Sequence, residues 1–226
     1  MVDQVDASIL EVQVRELPTA GAGQVLIQNH YLSINPLVRA LIDKANAYSS
    51  PLELGSVIPG HAAGQILLSN HPEFVAGDYV TGVLGWQEYC AINATGLKKV
   101  DITNIPLSAH LNVMGTAGLT AWCGVKLFCT PKKGETFLVS SASGAVGALA
   151  GQLAAQAGCR VIGIAGGSEK CTYVTSTLGF DACVDYRQAQ NSAALAEMIR
   201  AHAPEGIHSY FDNVGGEILD AAILTM

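Results

Sequence analysis

The chain has 226 residues, of which 50% are hydrophobic and 14% are charged, a composition typical of a compact α/β protein with a sizeable core. The net charge of −7 and the lack of a basic run argue against nucleic acid as a partner, because neutralising phosphates requires clustered Lys and Arg. The six cysteines form no C-x-x-C pair and no zinc-knuckle spacing. This pattern favours free thiols in a reducing, cytoplasmic compartment.

The first hundred residues are predicted to be mostly β-structure. Apolar or alternating segments, separated by turn-forming residues, predict five strands: Ile9–Leu17, Gln24–Leu32, Ala63–Leu68, Tyr79–Val83 and Gln87–Ile92. Strands this short and frequent indicate a small, partly open barrel. The pattern becomes helical from Leu107 to Phe128, and the polar turn Thr130–Gly134 begins the second half of the chain. Two long uncharged stretches, 102–125 and 137–159, contain too many polar and turn residues to predict a membrane span.

The segment Thr136–Lys170 reads as strand, glycine turn, helix and strand. An apolar strand at Phe137–Val139 runs into the turn Ser143–Gly147, and a second strand, Val161–Ala165, ends at Gly166 and Gly167. This unit places a pyrophosphate on a helix N-terminus. A glycine turn that only packs a helix on a sheet is the alternative, and the flanking strands favour nucleotide binding.

The chain continues in the same alternation. The pattern predicts a helix to Leu178, a strand at Ala182–Val184, a helix at Ala193–His202, a strand at Ile207–Phe211 and a helix from Glu217. The fold class is therefore α/β, with a doubly wound parallel sheet in the second half. Four strands after Thr136 are fewer than the six of a complete sheet of this kind. We therefore expect the chain to be a fragment or to lack its C-terminal portion.

Residues after the strand ends favour a phosphorylated ribose, hence NADP rather than NAD. No carboxylate directly follows the second strand, where a ribose 2′-hydroxyl would be held, and Lys170 is close by. Lys170 could pair with a 2′-phosphate as a point charge, and Tyr186 could donate its hydroxyl. Spacing alone leaves open a solvated Lys170, a half-buried Tyr186 and a ribose contact by Glu169. Asn213 follows the last strand and is either a cofactor ligand or an ordinary loop residue.

Metal and nucleophile signatures are weak. His61 has no neighbouring Glu, and the cysteines lack ligand spacing, so the sequence predicts no zinc site. No G-x-S-x-G elbow precedes a helix, which leaves covalent hydrolysis unsupported.

Eight segments resemble one family and occur in that family's order. The chain resembles the medium-chain dehydrogenase/reductase superfamily, and within it the zinc-independent branch of prostaglandin/leukotriene reductases, alkenal double-bond reductases and bacterial curcumin reductases. The matching segments cover nearly the whole chain: Ser33–Ala40, Gly77–Gly82, Gly85–Tyr89, Gly115–Trp122, Ser143–Gly147, Ala165–Cys171, Leu178–Tyr186 and Tyr210–Asp220.

The resemblance implies a GroES-like, partly open β-barrel domain at 1–125 and an NADP-binding Rossmann domain at 126–226, incomplete at its C-terminal end. It also implies NADPH as the hydride donor and no zinc. The family's cofactor-binding positions fall on the following residues: Thr120 near the nicotinamide, Gly144, Ala145, Val146 and Gly147 at the pyrophosphate, Gly167, Ser168, Lys170 and Tyr186 at the ribose phosphate, and Asn213.

The chain departs from the family on the substrate side. An Asp followed by Pro-Tyr-Met-Arg is usual where this chain has 35–39, and a Pro and a Tyr are usual at Ala117 and Trp122. These departures leave the substrate open. Asn35 and Tyr48 are the substrate-side candidates, with a structural loop Asn and a packed Tyr as equal alternatives. The family's Tyr associated with the enolate lies beyond the equivalent of Met226, so no catalytic residue is assigned.

The predicted function is NADPH-dependent reduction of the activated carbon–carbon double bond of an enone or enal. Hydride passes to the β-carbon, and the resulting enolate is stabilised and protonated at the α-carbon. A quinone reductase of the same superfamily and a non-catalytic, crystallin-like NADPH-binding protein are the alternatives. Family analogy alone implies a homodimer. The expected partner is the small-molecule substrate, and the charge and the polar content of the two long uncharged stretches predict no nucleic-acid or membrane partner.

Overall fold

The computed structural model describes residues 9–42 and 52–226, which form two compact units, one within 1–108 and one within 109–226. The second unit includes residues 109–125, which the sequence assigns to the N-terminal domain. The predicted division at 125/126 stays a prediction.

The first unit is built on a five-stranded antiparallel sheet. Its elements are β1 Gln24–Leu32, α1 Pro36–Ile42, β2 His61–Ser69, β3 Tyr79–Val83, β4 Tyr89–Asn93 and β5 Lys98–Lys99. The strand order is β4-β1-β2-β3-β5. Alternate residues such as Val25 and Ile27 are buried against Ile66 and Val80, as a sheet with one covered face requires. Closure into a partly open barrel stays a prediction.

One predicted strand is wrong. Ile9–Leu17 forms no strand, and the side chains of Val12 and Val14 are 96% and 98% exposed. Alternating apolar residues stabilise a strand only when a neighbouring strand pairs with it and covers one face. Within the described ranges no strand pairs with this segment.

The second unit contains a four-stranded parallel sheet. A 3₁₀ helix at Leu107–Leu111 precedes α2 Thr116–Cys123 and a π-helical turn at Gly124–Cys129. Then follow β6 Thr136–Ser140, α3 Ala145–Gln156, β7 Arg160–Ala165, α4 Ser168–Ser176, β8 Ala182–Asp185, a 3₁₀ turn at Tyr186–Gln188, α5 Ser192–His202, β9 Ser209–Phe211 and α6 Gly216–Ile223. The strand order is β8-β7-β6-β9, all parallel.

Helices cover both faces of this sheet. Phe137 and Val139 pack with residues of α2, α3 and α4, whereas Leu138 packs with residues of α5 and α6. All three side chains are fully buried, because a parallel strand covered on both faces is apolar on both faces. The predicted doubly wound arrangement is confirmed for these four strands. From β6, the strands β7 and β8 are added on one side and β9 on the other, so the strand order reverses between β6 and β9. At such a reversal, doubly wound sheets have a crevice at the carboxyl ends of the strands.

The long uncharged stretches fold as short elements. Residues 102–125 contain turns, the 3₁₀ helix and α2, and residues 137–159 contain most of β6, a turn and α3. In the part of the chain that the structure describes, no helix has the length and apolarity that a bilayer crossing demands.

Candidate functional site

The turn after β6 forms one wall of the crevice. Ser141 has a φ of 49°, a left-handed conformation that non-glycine residues seldom adopt. Gly144 donates its N–H to the Ser141 carbonyl at 2.8 Å and begins α3 in an extended conformation. No side chain caps this end of α3. The first-turn N–H groups therefore point out of the helix without an intrahelical partner, and the helix dipole favours negative charge there.

Two glycines hold the start of α3 against the end of β6. A Cβ on Gly147 would lie 2.3 Å from the Ser141 carbonyl oxygen, and one on Gly144 would lie 2.7 Å from Ser141 Oγ. Both distances are shorter than van der Waals contact. The glycines therefore permit the close helix–strand approach on which the geometry of this anion-binding helix end depends.

The crevice is open at the carboxyl ends of the strands. Its lining comes from the loops that follow four successive strands: Ser141 and Ser143 after β6, Gly166 and Lys170 after β7, Tyr186 after β8, and Val214 after β9. The structure thus brings the predicted Lys170 and Tyr186 to one cleft with the glycine turn.

The Lys170 side chain is available for a ligand. Lys170 is exposed in the first turn of α4, and its ammonium makes no hydrogen bond or ion pair with any described residue. Tyr186 is 39% exposed, and its ring crosses the end of β7. A Cβ on Gly166 would lie 2.9 Å from Tyr186 Cε1 and 3.0 Å from its hydroxyl oxygen. A side chain at 166, the position where a carboxylate would mark an NAD site, would therefore have to displace the Tyr186 ring.

Arg187 is a second cation at this place, and the sequence reasoning missed it. Its Nε would lie 3.0 Å from a Cβ on Gly166, and its Nη1 lies 3.6 Å from the corresponding position on Gly167. Arg187 could have been predicted from its position directly after Tyr186, at the end of a strand that leads to the cleft. Lys170 and Arg187 thus place two cations, the kind of side chain that binds a phosphate, at the end of β7 beside the Asp185 carboxylate.

Asp185 fixes the turn that enters α4, a role that the sequence reasoning also missed. Its Oδ1 accepts the Gly167 N–H at 2.8 Å and the Arg187 N–H at 3.1 Å. The hydrogen bond from Gly167 is the main reason that the pKa of the Asp185 carboxyl lies below its ordinary value. The carboxylate is thus engaged in joining the end of β8 to the start of α4.

We expect the Gly167 amide to report the ionisation of Asp185. Because the folded-state pKa is lowered, the stability that the ionised Asp185 carboxylate gives the folded protein is fully present above the ordinary Asp pKa. It is lost as the pH falls through the lowered value. An NMR titration of the Gly167 amide should therefore show a midpoint below about 3.9. Asp185→Asn should abolish this titration and Asp220→Asn should leave it intact; a midpoint at or above the ordinary value contradicts the assignment.

Asn213 ties the loop after β9 to the end of β6. Its Nδ2 donates to the Ser140 carbonyl at 2.9 Å, and its backbone N–H donates to Ser140 Oγ at 2.7 Å. The amide nitrogen is therefore used locally, as the loop interpretation requires. The side-chain oxygen accepts no hydrogen bond from the described residues and remains available to a ligand.

Asp212 organises this loop. Its Oδ1 accepts from the hydroxyls of Ser140 and Tyr210 at 3.0 and 2.7 Å, and from the Val214 and Gly215 N–H groups, each at 3.1 Å. Four donors on one oxygen make this carboxylate the centre of the junction between β6 and β9. This role of Asp212 was not predicted from the sequence.

Removing this centre should be costly. Asp212→Ala leaves the hydroxyls of the buried Ser140 and the half-buried Tyr210 without their acceptor, so we expect the free energy of unfolding to fall by about 2–3 kcal/mol. Urea unfolding measures this change. Asp220→Ala, on the exposed side of α6, is the control and should change it by less than about 0.5 kcal/mol. Equal effects of the two substitutions would contradict the role assigned to Asp212.

The remaining candidates lie elsewhere. Thr120 is exposed on α2 and does not line the cleft. Asn35 belongs to the first unit, and its Oδ1 accepts the Leu37 N–H at 2.9 Å at the start of α1. This is the local capping role of a loop Asn, with the amide nitrogen uncommitted. Tyr48 lies outside the described residues.

Two observations define the class of protein. The sheet order reverses beside a glycine turn, and an uncapped helix N-terminus faces a cleft that is also lined by Lys170, whose ammonium has no partner among the described residues. This is the architecture of a Rossmann-type dinucleotide-binding unit.

The family follows from comparison with known proteins. A model described as the N-terminal domain of oxidoreductase matches residues 1–100, and one described as zinc-binding dehydrogenase matches residues 145–226. The chain belongs to the medium-chain dehydrogenase/reductase superfamily and is similar to its zinc-independent reductases.

Individual relatives are similar over most of this chain. The NADPH-dependent curcumin reductase of Escherichia coli is 39% identical over 208 residues, which are 92% of this chain and 59% of the relative. The 2-alkenal reductase (NADP(+)-dependent) of Nicotiana tabacum is 40% identical over 223 residues, 98% of this chain and 64% of the relative. The crystal structure of CurA in complex with NADPH from Vibrio vulnificus has a TM-score of 0.83 and 39% identity, covering 95% of this chain and 62% of that one. The chain thus spans about three fifths of the length of these proteins.

The description of the second family model names zinc. Among residues 9–42 and 52–226, no group of three or more His, Cys, Asp or Glu side chains is arranged to hold a metal ion. His61, the histidine considered from the sequence, is exposed at the start of β2.

Proposed function

We propose that this chain takes part in NADPH-dependent reduction of the activated carbon–carbon double bond of enones or enals. The main support for NADPH rather than NADH is that Lys170, whose ammonium has no partner among the described residues, lines the same cleft as Tyr186. Gly166 stands at the position where an NAD site has a carboxylate. The similarity to the curcumin and 2-alkenal reductases supports the reaction type.

The residues of the second unit fit this cofactor. The uncapped start of α3 suits a pyrophosphate, and a side chain at Gly144 or Gly147 would collide with Ser141 and displace this helix start. In this proposal the cofactor contacts are Gly144, Ala145, Val146 and Gly147 at the pyrophosphate, Gly167, Ser168, Lys170 and Tyr186 at the ribose phosphate, and Asn213 and Thr120 towards the nicotinamide.

The chain's contribution is to bind and orient. NADPH supplies a hydride when bound, and the substrate accepts it at its β-carbon. The negative charge that develops on the substrate's carbonyl oxygen needs a hydrogen-bond donor, and the α-carbon then takes a proton. Asn35 Nδ2 and the Tyr48 hydroxyl are the donors that we propose for the substrate side. Asn35 has only its nitrogen to offer, since its oxygen is engaged with Leu37.

The organisation around this activity follows from the family. We propose a GroES-like partly open barrel over 1–125, a Rossmann domain from 126, no bound zinc, a cytoplasmic location and a homodimer. The measured sedimentation mass of the protein tests the last of these.

The experiment is an acceptor panel assayed for NADPH consumption. We expect 2-alkenals and aryl enones to be reduced, with deuterium from 4-deuterated NADPH appearing at the β-carbon of the product. Turnover of quinones alone would replace the proposal with a quinone reductase. Tight NADPH binding without turnover of any acceptor would indicate a non-catalytic binding protein.

A further inference from the structure

Two thiols meet beside the cleft. Cys171 lies in the first turn of α4, directly after Lys170, and Cys183 lies in β8, the neighbouring strand. Their sulfur atoms are 2.9 Å apart. Within the described residues no other two thiols are in hydrogen-bonding contact. The Cys159 thiol instead donates a hydrogen bond to the Lys132 carbonyl.

The pair differs from Cys90 and Cys159 in access, and from all the other cysteines in having a thiol partner. Cys171 and Cys183 are both half-buried, whereas Cys90 and Cys159 are buried. Cys90 is 3% exposed and Cys159 is 8% exposed, so oxidants in solution have little access to either thiol. A sulfur–sulfur bond of about 2.05 Å is within a small movement of the present separation.

We propose that Cys171 and Cys183 form a redox-modification site, which peroxides or low-molecular-weight disulfides convert into an intramolecular disulfide. Because the two residues lie in adjacent elements only 12 positions apart, the crosslink forms without unfolding of the sheet. It would join β8 directly to the helical turn that carries Lys170.

The chemistry balances with a peroxide as the oxidant. The Cys171 thiolate attacks the peroxide, the O–O bond breaks, and a sulfenic acid and hydroxide form; the hydroxide takes up the proton that the thiol had released and becomes the first water. The Cys183 sulfur then attacks the Cys171 sulfur, the S–O bond breaks, and a second water leaves. The two sulfurs lose two electrons, which reduce the peroxide. Burial raises the pKa of Cys183 well above its ordinary value, so Cys171 reacts first and Cys183 resolves.

The test is peptide mapping after mild oxidation. The protein is treated with hydrogen peroxide or oxidised glutathione, alkylated, and analysed without reduction. We expect a crosslinked peptide that contains Cys171 and Cys183, two fewer alkylated thiols per chain, and full recovery with dithiothreitol. Cys183→Ser should instead trap a sulfenic acid at Cys171, detected with dimedone.

Cys123→Ser and Cys129→Ser provide the matched controls, since both residues are half-buried without a thiol partner. These variants should form the crosslink at the unchanged rate. The proposal is overturned when Cys171 and Cys183 stay alkylatable under conditions that oxidise Cys123 or Cys129, or when each is oxidised separately without a crosslink. The map of the unsubstituted protein decides this even where a serine variant fails to fold.

Discussion

Replacing Lys170 with alanine is expected to weaken NADPH binding by roughly tenfold or more and to leave NADH binding nearly unchanged. The Lys170 ammonium has no partner among the described residues and projects from the first turn of α4 into the cleft. A charged hydrogen bond to a phosphate contributes about 1.5–3 kcal/mol, and exposure to solvent places this one near the lower end. Fluorescence titration of both cofactors measures the two dissociation constants.

Three comparisons test this prediction further. Lys132→Ala, in the turn before β6 at the opposite edge of the sheet, should leave both affinities unchanged. Arg187→Ala should weaken NADPH binding in the same direction, because its guanidinium reaches the same strand end. Added salt should reduce the effect of Lys170, since exposed charges are screened. An equal loss of NADH and NADPH affinity in Lys170→Ala would show that the side chain does not recognise the 2′-phosphate.

Replacing Gly147 with alanine is expected to reduce both stability and cofactor binding. The new Cβ would lie 2.3 Å from the Ser141 carbonyl oxygen and 3.0 Å from that of Ser140, and neither backbone atom can rotate away. Either α3 moves off β6 or the turn changes shape, at a cost of about 1–3 kcal/mol. Both outcomes displace the N–H groups that would face the pyrophosphate. Urea unfolding and NADPH titration measure the two effects.

Gly21→Ala is the matched control. Its Cβ would meet only Gln24 Oε1 at 3.3 Å, the end of a flexible side chain, so stability should change by less than about 0.5 kcal/mol. Normal NADPH affinity in Gly147→Ala would contradict the placement of the phosphate at this turn.

The sequence predicts the second unit well because its signals are local. Fully apolar strands such as Phe137–Val139 can only be buried parallel strands, and glycines at 144 and 147 specify a tight helix entry. The predicted bounds therefore differ from those of the structure by only a few residues. The prediction fails at Ile9–Leu17, although its apolar residues alternate as they do in a strand. A strand also depends on a pairing partner elsewhere in the chain, which the local pattern does not reveal.

The cleft could be predicted only in part. Lys170 and Tyr186 are found from their positions after strands, since parallel strand ends meet at one edge. Asp185 and Arg187 act through contacts with Gly166 and Gly167, nearly twenty residues away along the chain, which no spacing rule connects. The Cys171–Cys183 contact is likewise a product of packing α4 beside β8.

The most direct test of the central claim is the ratio of the NADH and NADPH dissociation constants of the unsubstituted protein, measured by titration at low salt. The account predicts that NADPH binds at least roughly tenfold more tightly, because Lys170, Arg187 and Tyr186 surround the end of β7 and the nearby Asp185 carboxylate is engaged by the Gly167 and Arg187 N–H groups. Equal affinities, or tighter binding of NADH, would contradict it.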